Sequence, residues 1–305
     1  MNAPARDPRL EQLQHWLESL PATLRLVPES LRPASADASF RRYFRLDAGT
    51  ATVIAMDAPP DKEDSGPFVR VAALLQAAGL HAPRVIAQDL AQGFVLLSDL
   101  GTTTYLTALN DNTADALFAD AIDALIRWQQ ASRSTVLPPY DEALLRRELN
   151  LFPDWYIARH LCRTLSATQR QVLEDAFRAI VEACLSQPCV YVHRDYMPRN
   201  LMVSDPNPGV LDFQDAVYGP ITYDVASLFR DAFVSWSEER VLDWTIRYWE
   251  KARRARLPVD ADFADFWRAF EWMGLQRHLK VMGIFARINY RDGKPQYLAD
   301  TPRFA

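Results

Sequence analysis

Apolar residues recur along this chain in two rhythms, and the change from one to the other divides it. Leu10, Leu13, Leu17 and Leu20 stand three and four residues apart, on one face of a helix predicted over 8–20 and closed by Pro21. From there the texture is short and strand-like, with runs at 24–27, 40–46 and 52–56 separated by Pro28, Pro33 and Ala48-Gly49. Antiparallel pairing is the natural expectation. A helix over 66–78 stops at Gly79, and strands at 84–87 and 94–97 complete a small sheet. Beyond Ser98-Asp99-Leu100-Gly101 the period becomes helical, over 114–132, 141–160, 167–186, 223–234, 237–255 and 261–286. The pattern predicts an α+β chain with a small antiparallel-sheet lobe over 1–98 and a mostly helical lobe over 99–305. A length of 305 residues exceeds what one core usually serves, which fits two lobes sharing a cleft.

One stretch breaks the helical rhythm: Tyr191-Val192-His193-Arg194-Asp195-Tyr196-Met197-Pro198-Arg199-Asn200. A β-prone run leads into it, and Pro198 forbids a regular helix, so Asp195 and Asn200 sit on a loop and can face one cleft. Short apolar runs, Leu201-Met202-Val203 and Val210-Leu211, flank the turn cluster Ser204-Asp205-Pro206-Asn207-Pro208-Gly209. Folded as a hairpin, they bring Asp212 of Asp212-Phe213-Gln214-Asp215 beside Asn200. Phosphoryl transfer from ATP needs a hydroxyl held in line and phosphate charge neutralised by magnesium. Asp195 can serve as the base, with Asn200 and Asp212 as magnesium ligands. A lone Asp before a turn is usually a cap, and a lone Asp-Phe means nothing. The signal is the three polar groups around one hairpin.

His193-Arg194-Asp195 with Asn200, Asp212-Phe213 and Tyr223-Asp224-Val225-Ala226 resembles the aminoglycoside phosphotransferase family of small-molecule kinases. The resemblance implies a bilobal protein-kinase-like fold and dependence on ATP and Mg2+. It makes 98–101 a hinge, where the backbone at Ser98, Asp99 and Leu100 pairs with the adenine edge. The wording of 192–202 and 211–216 is most similar to amino-sugar kinases of peptidoglycan recycling. These act on the anomeric hydroxyl of N-acetylmuramate and N-acetylglucosamine. The implied partners are ATP and an amino sugar, with Asp215, Arg199 and Glu148 as candidate acceptor-binding groups. A kinase for another alcohol, such as an aminoglycoside, and a nucleotide-binding regulator without turnover stay open. His193 and Arg194 read as loop supports, and Asp224 as a cap or brace.

The chain departs from the family where ATP phosphates are held. Such kinases use a Gly-rich loop and a strand Lys paired to a helix Glu. Residues 35–45 contain no glycine, Met56 or Asp57 stands where the Lys belongs, and the following helix carries no acid. Losing both partners is self-consistent, because a Glu left alone beside phosphate is repelled. Ser39 could let backbone N–H groups approach, and Arg41, Arg42 or Arg45 could replace the Lys charge. Alternation puts Arg41 and Arg45 on one face and Arg42 on the other. Lys62, between Asp61 and Glu63, is a weaker candidate.

Composition narrows the class. Apolar content of 49% and charged content of 24% are those of a globular protein, and a net charge of -5 argues against a general nucleic-acid binder. Cys162, Cys184 and Cys189 form no Cys-x-x-Cys pair, so neither zinc nor a disulfide framework is indicated. Neither a signal core nor an apolar run of roughly 20 residues is present, so a cytoplasmic protein away from the membrane is expected. Residues 251–305 hold eleven Lys or Arg against six Asp or Glu, which favours a neutral or anionic acceptor over a polycation. Trp236, Trp244, Trp249, Trp267 and Trp272 fall in the same half, where a ring could stack on a sugar. Nothing in the pattern sets an oligomeric state.

Overall fold

A computed structural model describes residues 7–35 and 40–304 of the chain. They fall into two compact units, one within Met1–Thr102 and Ser204–Gln214, the other within Thr103–Val203 and Asp215–Ala305.

The first unit is built on a sheet that has five strands among the described residues. Helix α1 (Pro8–Ser19) is capped by Asp7, whose carboxylate accepts from Arg9 and Leu10 N–H, both at 3.1 Å. Strands β1 (Leu26–Ser35), β2 (Arg42–Ala48) and β3 (Ala51–Asp57) precede helix α2 (Gly66–Ala77), and β4 (Val85–Asp89) and β5 (Phe94–Ser98) follow it. The order is β1-β2-β3-β5-β4, antiparallel throughout. Strand β1 runs through Pro28 and Pro33, which the sequence reading takes as separators. It lies at the sheet edge with register shifts in its ladder, where a missing N–H is tolerated.

Alternation sends Phe44, Leu46, Val53, Ala55, Phe94 and Leu96 to one face, where they form a core with Leu13, Trp16 and Leu17 of α1. Helix α2 buries Phe68, Val71, Ala72 and Leu75. All of Phe94–Leu97 is buried, so β5 reads as a continuous apolar run. Segment 204–214 belongs to this unit: Val210 N–H donates to His81 O at 2.8 Å, and His81 Nδ1 lies 3.0 Å from Ser204 Oγ.

The second unit is mostly helical. It contains α3 (Tyr105–Ala108), α4 (Ala114–Gln130), α5 (Glu142–Leu149), α6 (Ala167–Leu185), α7 (Tyr223–Phe229), α8 (Glu238–Arg254) and α9 (Phe263–Asp292). Strands β6 (Cys189–Val192) and β7 (Val217–Pro220) pair antiparallel. Strand β7 escapes the sequence reading because its four residues include Gly219 and Pro220. The helix expected over 141–160 ends at Leu149 and resumes as a π-helix over Phe152–His160. Pro153, at the start of that segment, removes a donor and crowds the preceding turn. Helix α7 stops at Phe229 because the Asp231 carboxylate takes the N–H groups of Phe233 and Val234, at 2.7 and 3.0 Å. Among the described residues, no helix is long and apolar enough to cross a membrane.

Candidate active site

Strand β6 delivers the chain to His193, Arg194 and Asp195, and the loop is held from below. The buried carboxylate of Asp224 accepts His193 N–H at 2.6 Å and Arg194 N–H at 3.0 Å. This is the bracing role read from the sequence. Arg194 has φ 75°, a left-handed conformation that costs a non-glycine residue and needs outside support. Asp195 is half-buried; its carbonyl accepts from Met197 N–H and from Asn200 Nδ2, both at 2.9 Å. A turn of 3-10 helix, Pro198–Asn200, therefore fixes Asn200 against the Asp195 backbone.

Below this loop is a buried cluster of charges. The Glu148 carboxylate receives Arg194 Nη2 at 2.5 Å, Lys280 Nζ at 3.0 Å, Gln276 Nε2 at 3.2 Å and the Tyr140 hydroxyl. Lys280 also donates to Tyr223 Oη at 2.8 Å, and Arg277 Nη1 donates to Arg194 O at 3.2 Å. Burial alone would raise the Glu148 carboxyl, but Lys280 and Arg194 pull it down to about 2. Burial pushes the Asp224 carboxyl up to about 7 against its two backbone donors. Glu148 is only 5% exposed. That corrects the reading of Glu148 as a surface charge: the carboxylate is buried beneath the loop and accepts from four side chains there. Lys280 and Arg277 are missed by the sequence reading. Their one signal is a lysine inside the apolar run Leu279-Lys280-Val281-Met282.

In the first unit, Asp212 is exposed, has φ 62° and accepts from Gln214 Nε2 at 3.0 Å. Phe213 beside it is fully buried and packs on Phe68 of α2, with ring centroids 4.8 Å apart. Asn200 and Asp212 offer an amide and a carboxylate oxygen, hard donors of the kind Mg2+ takes while keeping water and phosphate ligands. The described residues hold no cluster of three or more His, Cys, Asp or Glu suited to a metal.

The arginine candidates separate. Arg42 reaches the buried carboxylate of Asp57 at 2.5 Å and also Asp7, while Arg9 binds the other Asp57 oxygen. It therefore corrects to a support on the α1 face of the sheet. Arg45 bonds Asp99 and, at 2.7 Å, Gly101 O, so it braces the 98–101 segment. Arg41 pairs with Glu63 at 3.1 Å. Ser39 lies outside the described residues. Ser98 Oγ accepts Arg84 N–H at 2.8 Å, and Leu100 is buried. Asp99 also accepts from Thr52 and Gly101 N–H; burial raises its carboxyl, but Arg45 and Thr52 more than offset this and hold it below the usual range. Side chains at 98–100 are thus absorbed internally. Lys62 is exposed beside Asp61, a solvated charge.

Arg199 is half-buried, its guanidinium 5.0 Å from the Phe233 ring centre, and Asp215 is exposed. Of the C-terminal tryptophans, Trp244 is core, while Trp236, Trp249 and Trp267 lie under Arg240, Arg253 and Arg230.

Residues 30–260 match the phosphotransferase enzyme family, APH. An N-acetylmuramate/N-acetylglucosamine kinase of Pseudomonas aeruginosa is 57% identical over 98% of this chain and 90% of its own length. A kinase of the same name from Neisseria meningitidis is 50% identical over 96% and 88%. Among solved structures, an amicoumacin kinase in complex with AMP-PNP and Ca2+ aligns with TM-score 0.66 at 14% identity, covering 98% of this chain and 94% of that one. The ADP-bound aminoglycoside phosphotransferase APH(2'')-Ib aligns with TM-score 0.61 at 15% identity, covering 99% and 97%. These two show the kinase-like α+β fold. With a family match over most of its length and half-identical relatives along nearly all of it, this chain belongs to the phosphotransferase enzyme family, APH.

Proposed function

We propose that the chain is an ATP- and Mg2+-dependent kinase acting on the anomeric hydroxyl of N-acetylmuramate and N-acetylglucosamine. The observation that carries this reading is identity of half or more, along nearly the whole chain, with kinases of that name, in a chain that keeps Asp195, Asn200 and Asp212. Asp195 takes the proton of the sugar hydroxyl as its oxygen attacks the γ-phosphorus. The new O–P bond forms as the bond to the β,γ-bridging oxygen breaks, and ADP leaves. An anomeric hydroxyl is more acidic than an ordinary alcohol, which eases removal of its proton. Asn200 and Asp212 would hold Mg2+ through oxygen ligands, and the bound ion would supply neutralisation of phosphate charge. The backbone at 98–100 pairs with adenine. Arg199 steers an anionic acceptor such as a lactyl carboxylate, and Asp215 bonds sugar hydroxyls. ATP as donor makes the cytoplasm the working compartment.

The test is ATP consumption against both amino sugars and a panel of aminoglycosides. Turnover with amino sugars alone supports the reading. Turnover with aminoglycosides alone, or nucleotide binding without turnover, overturns it. Asp195→Asn is expected to abolish turnover while ATP affinity is retained; equal loss of both sinks the assignment of Asp195.

A further inference from the structure

We infer that Arg41, held by Glu63, is the cation that grips the ATP phosphates in place of the strand lysine. This inference rests on the ATP-dependent reading above.

The register sets the frame. Arg42 pairs directly with Asp57 across β2 and β3, and its side chain joins Arg9 and Asp7 on the α1 face. Within β2 the alternate residues Tyr43 and Arg45 point the opposite way, away from α1. Arg41 is the residue just before the strand begins. Arg45 is bound by Asp99 and Gly101 O. The Arg41 side chain is 10% exposed and 3.1 Å from the Glu63 carboxylate.

Glu63 lies three residues before the start of α2, and Phe68 is that helix's third residue. Phe213 packs on Phe68, and Asp212 is its neighbour in sequence. The Arg41–Glu63 pair thus lies just before the helix whose Phe68 packs on Phe213, the sequence neighbour of the proposed magnesium ligand Asp212. A mostly buried Arg–Glu pair is a poor source of stability, because desolvation opposes the attraction. Its retention at this place has a chemical use. A guanidinium carries five N–H donors, enough to serve a carboxylate and phosphate oxygens together. The carboxylate moves from within the helix to the loop before it, and the cation moves from β3 to the approach to β2. The pairing logic of lysine and glutamate is preserved with both partners displaced.

Affinities for adenosine, ADP and ATP, the last two with Mg2+, test this in the full chain by calorimetry. Arg41→Ala is expected to weaken ADP and ATP by about 10- to 100-fold, as loss of charge-assisted hydrogen bonds does, with adenosine within about twofold of wild type. Arg41→Lys should recover much of the loss, and Glu63→Gln should weaken ADP by a smaller factor. Arg32→Ala, which breaks an exposed pair with Asp47, is the control expected to change nothing. If Arg41→Ala does not fold, Arg41→Lys and Glu63→Gln carry the test. ADP affinity unchanged in the Arg41 variants, or equal weakening of all three ligands, overturns the inference while leaving the kinase reading intact. A wild-type chain that binds no ATP overturns the kinase reading itself.

Discussion

The two oxygens of Asp224 receive the backbone N–H groups of His193 and Arg194, at 2.6 and 3.0 Å, and so suspend the loop that ends in Asp195. No side chain of the loop is needed for this contact. Arg194 at φ 75° gains a support that its own conformation lacks.

Asp224→Ala leaves two buried N–H donors without an acceptor, which costs about 2–4 kcal/mol. Turnover should fall by at least about a hundredfold, because Asp195 is displaced, while KM for ATP changes little. Thermal denaturation and steady-state kinetics measure the two effects. Unchanged turnover with reduced stability would show that the brace has no part in positioning the base.

Glu148 anchors Arg194 from the other side, so Glu148→Gln leaves Arg194 and Lys280 buried with no carboxylate between them. Removing one partner of such a cluster costs about 3–5 kcal/mol. Lys280→Met removes only one of two cations and is expected to cost less. A larger loss in urea denaturation for Lys280→Met than for Glu148→Gln refutes this order.

Asn200→Ala and Asp212→Ala each remove one proposed oxygen ligand. Each should raise the Mg2+ concentration for half-maximal activity by about tenfold or more, with Asp212→Ala the more severe because it loses a charge. If both residues hold the same ion, the double variant is less than additive. A magnesium dependence unchanged in Asp212→Ala removes that residue from the metal site.

Much of this was legible because the decisive residues stand close in sequence. His193 to Asn200 form one loop, and Pro198 and the turn cluster at 204–209 dictate its local path whatever packs around it. The sheet of the first unit was legible from its short strand-like runs, apart from the edge strand through Pro28 and Pro33, where exposure of the edge overrides the usual meaning of proline. Glu148 was misread because its burial depends on Lys280 and Arg194, 132 and 46 positions away, and periodicity shows only that it lies on a helix. Arg41, Arg42 and Arg45 look equivalent as letters. Only the positions of Asp57, Glu63 and Asp99 tell them apart.

His278 lies 4.9 Å from the Phe304 ring, and burial, aided by the charges of Arg277 and Arg230, pushes it down to about 4. Its unfolded value is 6.5, so between pH 6.5 and 4 the unfolded chain binds a proton that the native chain refuses. The stability it contributes is complete above pH 6.5 and is lost as pH falls through that window, at most about 3 kcal/mol. Glu148 acts in the same direction at lower pH, between 4.5 and about 2. Asp224 and Asp231, raised by burial to about 7 and about 6, act oppositely: their native forms keep a proton that the unfolded chain has shed, so they stabilise as pH falls toward 4. Between pH 7 and 4 the slope of His278 therefore opposes those of Asp224 and Asp231. His278→Gln removes the first of these slopes. Relative to wild type, the variant should therefore gain stability at pH 4.5 compared with pH 7.5 in urea denaturation. An identical difference at both pH values means that protonation of His278 plays no part in acid sensitivity.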